Sequence, residues 1–285
     1  MGKLKELFVE DLKLRNYSDS TVSGYASEVK GLVAHFMRPP EKLGEAEIRE
    51  YLLHLKEERR LEPATRHRVV AAIKFFYGCT LGRPEVVEKI PYPKVPKGLH
   101  DALSRQEVEN LLARVTPIKC RVVLIAVYAA GLRISEACSL QFGDIDRAQG
   151  VIHVRKGKGN KDRYVMLGAR LLDTLVAYYT LARPPGPYFF TGRRLDRPIS
   201  RERPREALAR AREKIGLRKR VTTRSLRHAF ATHLLEDGVD VRVVQVLLGH
   251  ASIRTTTLYA QVTPQHIARI KSPFDRENLS VLPAR

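Results

Sequence analysis

Five residues of this chain have types and neighbours suited to chemistry at a phosphate. The word Gly131-Leu132-Arg133-Ile134-Ser135-Glu136 puts an arginine at a predicted helix start, and Leu226-Arg227-His228-Ala229-Phe230-Ala231-Thr232-His233 puts a second arginine on another helix. Lys158 sits in Lys156-Gly157-Lys158-Gly159-Asn160-Lys161, a Gly-rich, lysine-loaded turn. Leu247-Leu248-Gly249-His250 is followed nine residues later by Tyr259. Cutting a phosphodiester without metal or nucleotide needs cations that stay charged, a nucleophile, and an acid for the leaving oxygen. Arginine suits the first need, because its planar fork matches phosphate oxygens and does not deprotonate. The chain has no Asp/Glu-His cluster at metal-ligand spacing, no Gly-x-x-x-x-Gly-Lys-Ser/Thr loop and no Gly-x-Ser-x-Gly elbow. Basic and hydroxyl side chains are the inventory that remains. Each has a blander reading when taken singly: Arg133 as a surface cap, Lys158 as a solvated turn lysine, Tyr259 as a half-buried aromatic. His228 and His233 read as packing or supporting residues.

The elements that must hold these groups are mostly helices. Apolar residues near helical spacing predict helices over 3–15, from 19 to about 36, over 45–60 and after Pro63, with Pro39-Pro40 as a break. Their stripes form the core of a small bundle, while Arg66, Arg68 and Lys74 on the polar faces are candidate phosphate contacts. Residues 91–100 hold three prolines without periodicity and read as an extended linker. Ser104-Arg105-Gln106-Glu107 is a capping box opening the next helix. The apolar run 122–130 reads as a buried helix ending at Gly131, a left-handed cap. The period then changes: 151–155 and 162–167 alternate, predicting a β-hairpin closed by the lysine turn. Helices resume over 169–181, 203–215, 223–236, 241–248, 252–261 and 264–270, with a short strand at 188–190.

Charge narrows the partner. The 285 residues carry a formal charge of +20, and positions 101–285 hold 33 basic against 17 acidic side chains, net +16. Such a concentration is the electrostatic footprint of a nucleic-acid binder. Three scattered cysteines, Cys79, Cys120 and Cys138, argue against a disulfide scaffold and for a reducing cytoplasm. No apolar run is long enough to cross a membrane, and the opening residues do not form a signal peptide.

Together these words resemble the tyrosine recombinase family, of the lambda-integrase and Xer type, over essentially the whole chain. The resemblance implies a mainly α protein with a small β-hairpin sheet: a helical core-binding domain at 1–90, a linker at 91–100 and a catalytic domain at 101–285. It implies that Arg133 and Arg227 clamp the scissile phosphate with Glu136 as an accessory carboxylate. Lys158 would be the general acid, His250 a hydrogen-bond donor to the phosphate, and Tyr259 the nucleophile that forms a 3′-phosphotyrosyl intermediate. One phosphoester replaces another, so no cofactor and no metal are expected. Lys156 and Lys161 join Arg66, Arg68 and Lys74 as DNA contacts. The expected partner is double-stranded DNA with an inverted-repeat core site: the two domains of one chain are expected to form a C-shaped clamp with the linker crossing the duplex, two protomers to bind one site, and a homotetramer to form in synapsis through a Holliday junction. Related recombinases pass a C-terminal helix to a neighbour, so Ile267 and Ile270 are expected to dock in trans, with docking in cis as the alternative.

One position departs from the family pattern. Where the family writes His-x-x-Arg-His, this chain has Arg224-Ser225-Leu226-Arg227-His228. Arg224 can bind phosphate but has no acceptor atom for the tyrosine proton. Activity is therefore expected to be reduced but detectable; if water or His250 takes the proton, Arg224 adds a third guanidinium to the phosphate, and the plain alternative is that Arg224 points to solvent beside Arg220. Two other readings stand beside recombination. A type IB topoisomerase shares the chemistry without joining two sites. A helix-turn-helix regulator would use 240–248, Gly249 and 252–260 without catalysis.

Overall fold

The computed structural model describes residues 2–95, 102–155, 162–249, 267 and 269–276. The chain divides into two compact units, Met1–Leu99 and His100–Arg285. The first is built from α1 (Gly2–Leu14), α2 (Asp19–Phe36), α3 (Glu45–Glu57), α4 (Pro63–Phe75) and a short α5 (Glu85–Glu88). Ser18 caps α2 by accepting from the Thr21 amide, and the chain turns out of it through Met37 at φ +50°. Phe8 and Leu12 of α1, Val29 and Leu32 of α2, Ile48 and Tyr51 of α3, and Val69 and Ile73 of α4 are buried together. The helix predicted over 45–60 stops at Glu57. α4 runs on as a π-helical turn over Phe76–Thr80. Residues 91–95 carry no helix or strand; the Tyr92 ring stacks on His67 at 4.6 Å.

The second unit opens with α6 (Arg105–Arg114), capped reciprocally: the Glu107 amide donates to Ser104 Oγ at 3.2 Å and the Ser104 amide to Glu107 Oε2 at 2.8 Å. α7 (Ile118–Ala129) is the central rod, buried at every position from Val122 to Ala129. Helices α6, α10 (Glu202–Lys214), α11 (Thr223–Glu236), α9 (Ala169–Ala182) and α8 (Ile134–Cys138) all pack on it. A helix apolar all round is stable only inside such a ring. Gly131, at φ +60°, turns the chain out of α7; a Cβ there would run into the Phe230 ring of α11.

The hairpin forms with β2 (Val151–Val154) antiparallel to β3 (Arg163–Met166), Ile152 opposite Val165 and His153 opposite Tyr164. A further strand, β1 (Ile145–Asp146), pairs with the other edge of β2, giving an antiparallel sheet in the order β1-β2-β3. The short strand expected at 188–190 is instead a pair of isolated bridges, Gln141 with Tyr188 and Thr191 with Pro198. Phe189 and Phe190 are both buried in this unit's core, and the bridges on either side of them go to different partners and do not extend into a ladder.

α12 (Val241–Leu248) follows α11, capped by Asp240 and ended by Gly249 at φ +59°. The expected helix over 252–261 lies outside the described residues. The C-terminal segment is seen at Ile267 and 269–276, where a 3₁₀ turn covers Pro273–Arg276. Ile267 is 2% exposed in this unit's own core, with Ile270 packed against it. Ser272 Oγ donates to the Ala129 carbonyl at 2.6 Å, and Asp275 Oδ1 accepts the Arg170 amide at 3.1 Å, capping α9. Within this single chain Ile267 and Ile270 pack in cis, as the alternative reading expects; the rest of the helix expected over 264–270 lies outside the described residues.

Candidate active site

Arg133 is the N-cap of α8, reached directly after the turn at Gly131. One helical turn on, Glu136 bends back to its own cap. Its Oε2 accepts the Arg133 amide at 2.7 Å and its Oε1 accepts Arg133 Nη1 at 2.8 Å. Arg227 enters from α11, with Nη1 3.8 Å from Glu136 Oε2. It donates to the carbonyls of Gly131 and Leu248. Arg133 Nη2 reaches the same end of α12, donating to Leu248 O at 3.3 Å and Gly249 O at 3.2 Å. A helix C-terminus presents carbonyls without intrahelical partners and a partial negative charge. In this arrangement the arginines take up that negative end.

A third guanidinium closes the cluster. Arg163, the first residue of β3, donates Nη1 to Glu136 Oε1 at 2.9 Å and Nη2 to Oε2 at 2.7 Å. Its Nε donates to Leu247 O at 3.1 Å. Gly249 leaves room for it: a Cβ there would lie 2.9 Å from Arg163 Cδ. Sequence reasoning passed over Arg163. The signal was present, since the β3 alternation turns Arg163 inward with Val165, and an inward-facing strand arginine requires a buried carboxylate.

The electrostatics follow from this crowding. Burial alone would push the Glu136 carboxyl up, but the hydrogen bonds and charge of Arg163, then of Arg133, bring it down to about 2. Burial, and after it the neighbouring charges of Arg133 and Arg163, hold Arg227 below the usual arginine range. Three cations around one carboxylate leave a surplus of positive charge, and an incoming anion would relieve their repulsion. Among the described residues no group of His, Cys, Asp and Glu could hold a metal ion.

The predicted site residues thus divide. Arg133, Glu136 and Arg227 come together. Arg224, on the first turn of α11, is exposed and makes no hydrogen bond or ion pair with the described residues, although its charge is felt at Arg227. Lys156, Lys158, Lys161, His250 and Tyr259 lie outside the described residues. In the first unit, Arg68 pairs with Glu28 at 2.5 Å, Arg66 Nε donates to Leu61 O at 3.1 Å and Lys74 Nζ to Glu88 O at 3.3 Å. His233 is a packing residue, buried between Tyr128 Oη and Leu103 O at 2.9 Å each. His228 is not: it is exposed, because Leu226, Ala229, Phe230 and His233 form the inward stripe of α11.

Comparison with known proteins accounts for both units. The phage integrase family matches residues 101–266, and the phage integrase N-terminal SAM-like domain matches residues 4–85. A putative integrase/recombinase, y4qK, of Sinorhizobium fredii is 42% identical over 276 residues, 96% of this chain and 89% of that one. The tyrosine recombinase XerA of Thermococcus onnurineus is 36% identical over 264 residues, 90% of each. Among solved structures, a lambda integrase dimer bound to a COC′ core site has the same fold, with a TM-score of 0.71 at 20% identity, covering 94% of this chain and 77% of that one. No helix of the described residues is long and apolar enough to cross a membrane. A regulator without catalysis would leave the family match over 101–266 unexplained. The chain belongs to the phage integrase family and is a site-specific recombinase of the tyrosine type.

Proposed function

We propose that this chain cuts and rejoins double-stranded DNA by a phosphotyrosine route, with Arg133 and Arg227 as the phosphate clamp. The observation that carries the reading is the convergence of these two arginines on one carboxylate and one helix end. The Tyr259 oxygen attacks the scissile phosphorus, its proton passing to water or to His250. The P–O5′ bond breaks, and Lys158 protonates the leaving 5′-oxygen, leaving DNA joined through its 3′-phosphate. A 5′-hydroxyl of a partner strand reverses the step, so the bond energy is kept without a nucleotide cofactor. Guanidinium charge stabilises the phosphorane, and the general acid adds about 10²–10⁴ in rate.

The solved relatives include a lambda integrase dimer on a core site and a tetramer on a Holliday junction. By the same logic this chain acts as a dimer on an inverted repeat and as a tetramer in synapsis, with both units on the duplex and 91–100 joining them. Incubation with a library of randomised, nicked duplexes, followed by heat in SDS, tests the chemistry. Wild type traps a covalent adduct and Tyr259→Phe binds DNA without one; an adduct at wild-type level in Tyr259→Phe rejects this nucleophile. Joining of two separate sites distinguishes recombination from topoisomerase action.

A further inference from the structure

The Arg163 side chain is 6% exposed, and its three nitrogens are all engaged, two with Glu136 and one with the Leu247 carbonyl. Burying an ion pair rarely stabilises a fold more than apolar packing of the same volume does. Stability alone therefore gives a weak reason for this arginine on an inward strand position.

Glu136 supplies a stronger one. The same carboxylate is bound by Arg133 and approached by Arg227, the two side chains assigned to the phosphate. Three guanidiniums and one carboxylate carry net +2. That balances the two negative charges of the phosphorane formed when a tyrosinate adds to a phosphodiester. Without Arg163 the cluster falls to +1, and the Glu136 carboxylate would lean wholly on Arg133 and Arg227. We propose that Arg163 is a positioning residue for strand cleavage: by occupying Glu136 it leaves the charge of Arg133 and Arg227 available to the scissile phosphate, and by holding Leu247 O it fixes the helix end that leads to His250. The proposal rests on the assignment of Arg133 and Arg227 as the phosphate clamp.

The test is single-turnover cleavage of a nicked duplex recovered from the randomised library, measured with DNA affinity and thermal stability. Arg163→Met slows cleavage about 10²-fold, the usual penalty for a misplaced catalytic group, while affinity changes little. Adding Glu136→Gln to Arg163→Met removes the carboxylate that quenches the clamp, and recovers at least 10-fold of the lost rate. A merely structural arginine predicts the reverse, since the second substitution deletes further hydrogen bonds. Arg163→Gln, neutral but still a donor, gives the same comparison where Arg163→Met does not fold. A double variant no faster than the single one overturns the proposal while the cleavage reading stands. A wild-type chain that forms no adduct overturns both.

Discussion

At the scale of single residues, Arg224 and Arg227 show how differently two arginines on one helix are used. Arg227 is drawn among Arg133, Glu136 and Arg163, whereas Arg224, one turn earlier, stands exposed. With no acceptor atom at position 224, Tyr259 must ionise without a base there, and cleavage should keep rising towards alkaline pH, the unperturbed tyrosine pKa being about 10. Arg224→His should raise the rate at pH 7 by about 10-fold or more. A lower rate would make Arg224 a working part of the site, and an unchanged rate would mean that position 224 takes no part in it. Glu136 makes a second prediction. Its pKa falls from 4.5 to about 2 on folding, so its contribution is present above pH 4.5 and is lost as pH falls towards 2. Glu136→Gln should be less stable than wild type at pH 7, by up to about 3 kcal/mol, with the gap falling to less than about half of that at pH 3 and closing only below the folded pKa of about 2. Denaturant unfolding at both pH values measures it, and a constant gap contradicts the pairing. Arg133 and Arg227 were legible because each sits in a distinctive local word. Arg163 was only half legible: strand alternation turns it inward and so demands a buried partner, but does not name Glu136 as that partner.

At the scale of elements, the helices announced themselves through apolar stripes, caps and prolines, and even Gly131 could be read as the left-handed exit from α7. Elements too short to show a period could not. β1 has only the residues Ile145–Asp146, too few for a period, and exists because β2 offers it an open edge. The C-terminal segment is the larger case. Its apolar residues, Ile267 and Ile270, were visible, but nothing in the local pattern showed that the turn at Pro273–Arg276 would pack on α7 and α9. Phe274 is 1% exposed there, with the Arg170 guanidinium 4.9 Å over its ring. Phe274→Ala should cost about 3–5 kcal/mol, as for a buried aromatic cut to alanine. Docking within one chain makes that loss independent of protein concentration. A loss that disappears on dilution would mean that Phe274 docks on a neighbour.

At the scale of the whole molecule, the charge asymmetry that first pointed to nucleic acid should govern affinity. Each neutralised phosphate contributes about −0.9 to the slope of log K against log[salt], so ten contacts spread over both units give roughly −9. A slope shallower than about −3 would mean that only a fraction of the basic surface meets the duplex. Under the proposed mechanism, the +20 net charge serves to bring a phosphate to Arg133 and Arg227 for attack by Tyr259. Mass spectrometry of the trapped adduct, digested by protease and nuclease, reads that end point directly. A nucleotide linked through its 3′-phosphate should remain on the peptide containing Tyr259. Attachment to any other residue, or through a 5′-phosphate, would contradict the mechanism.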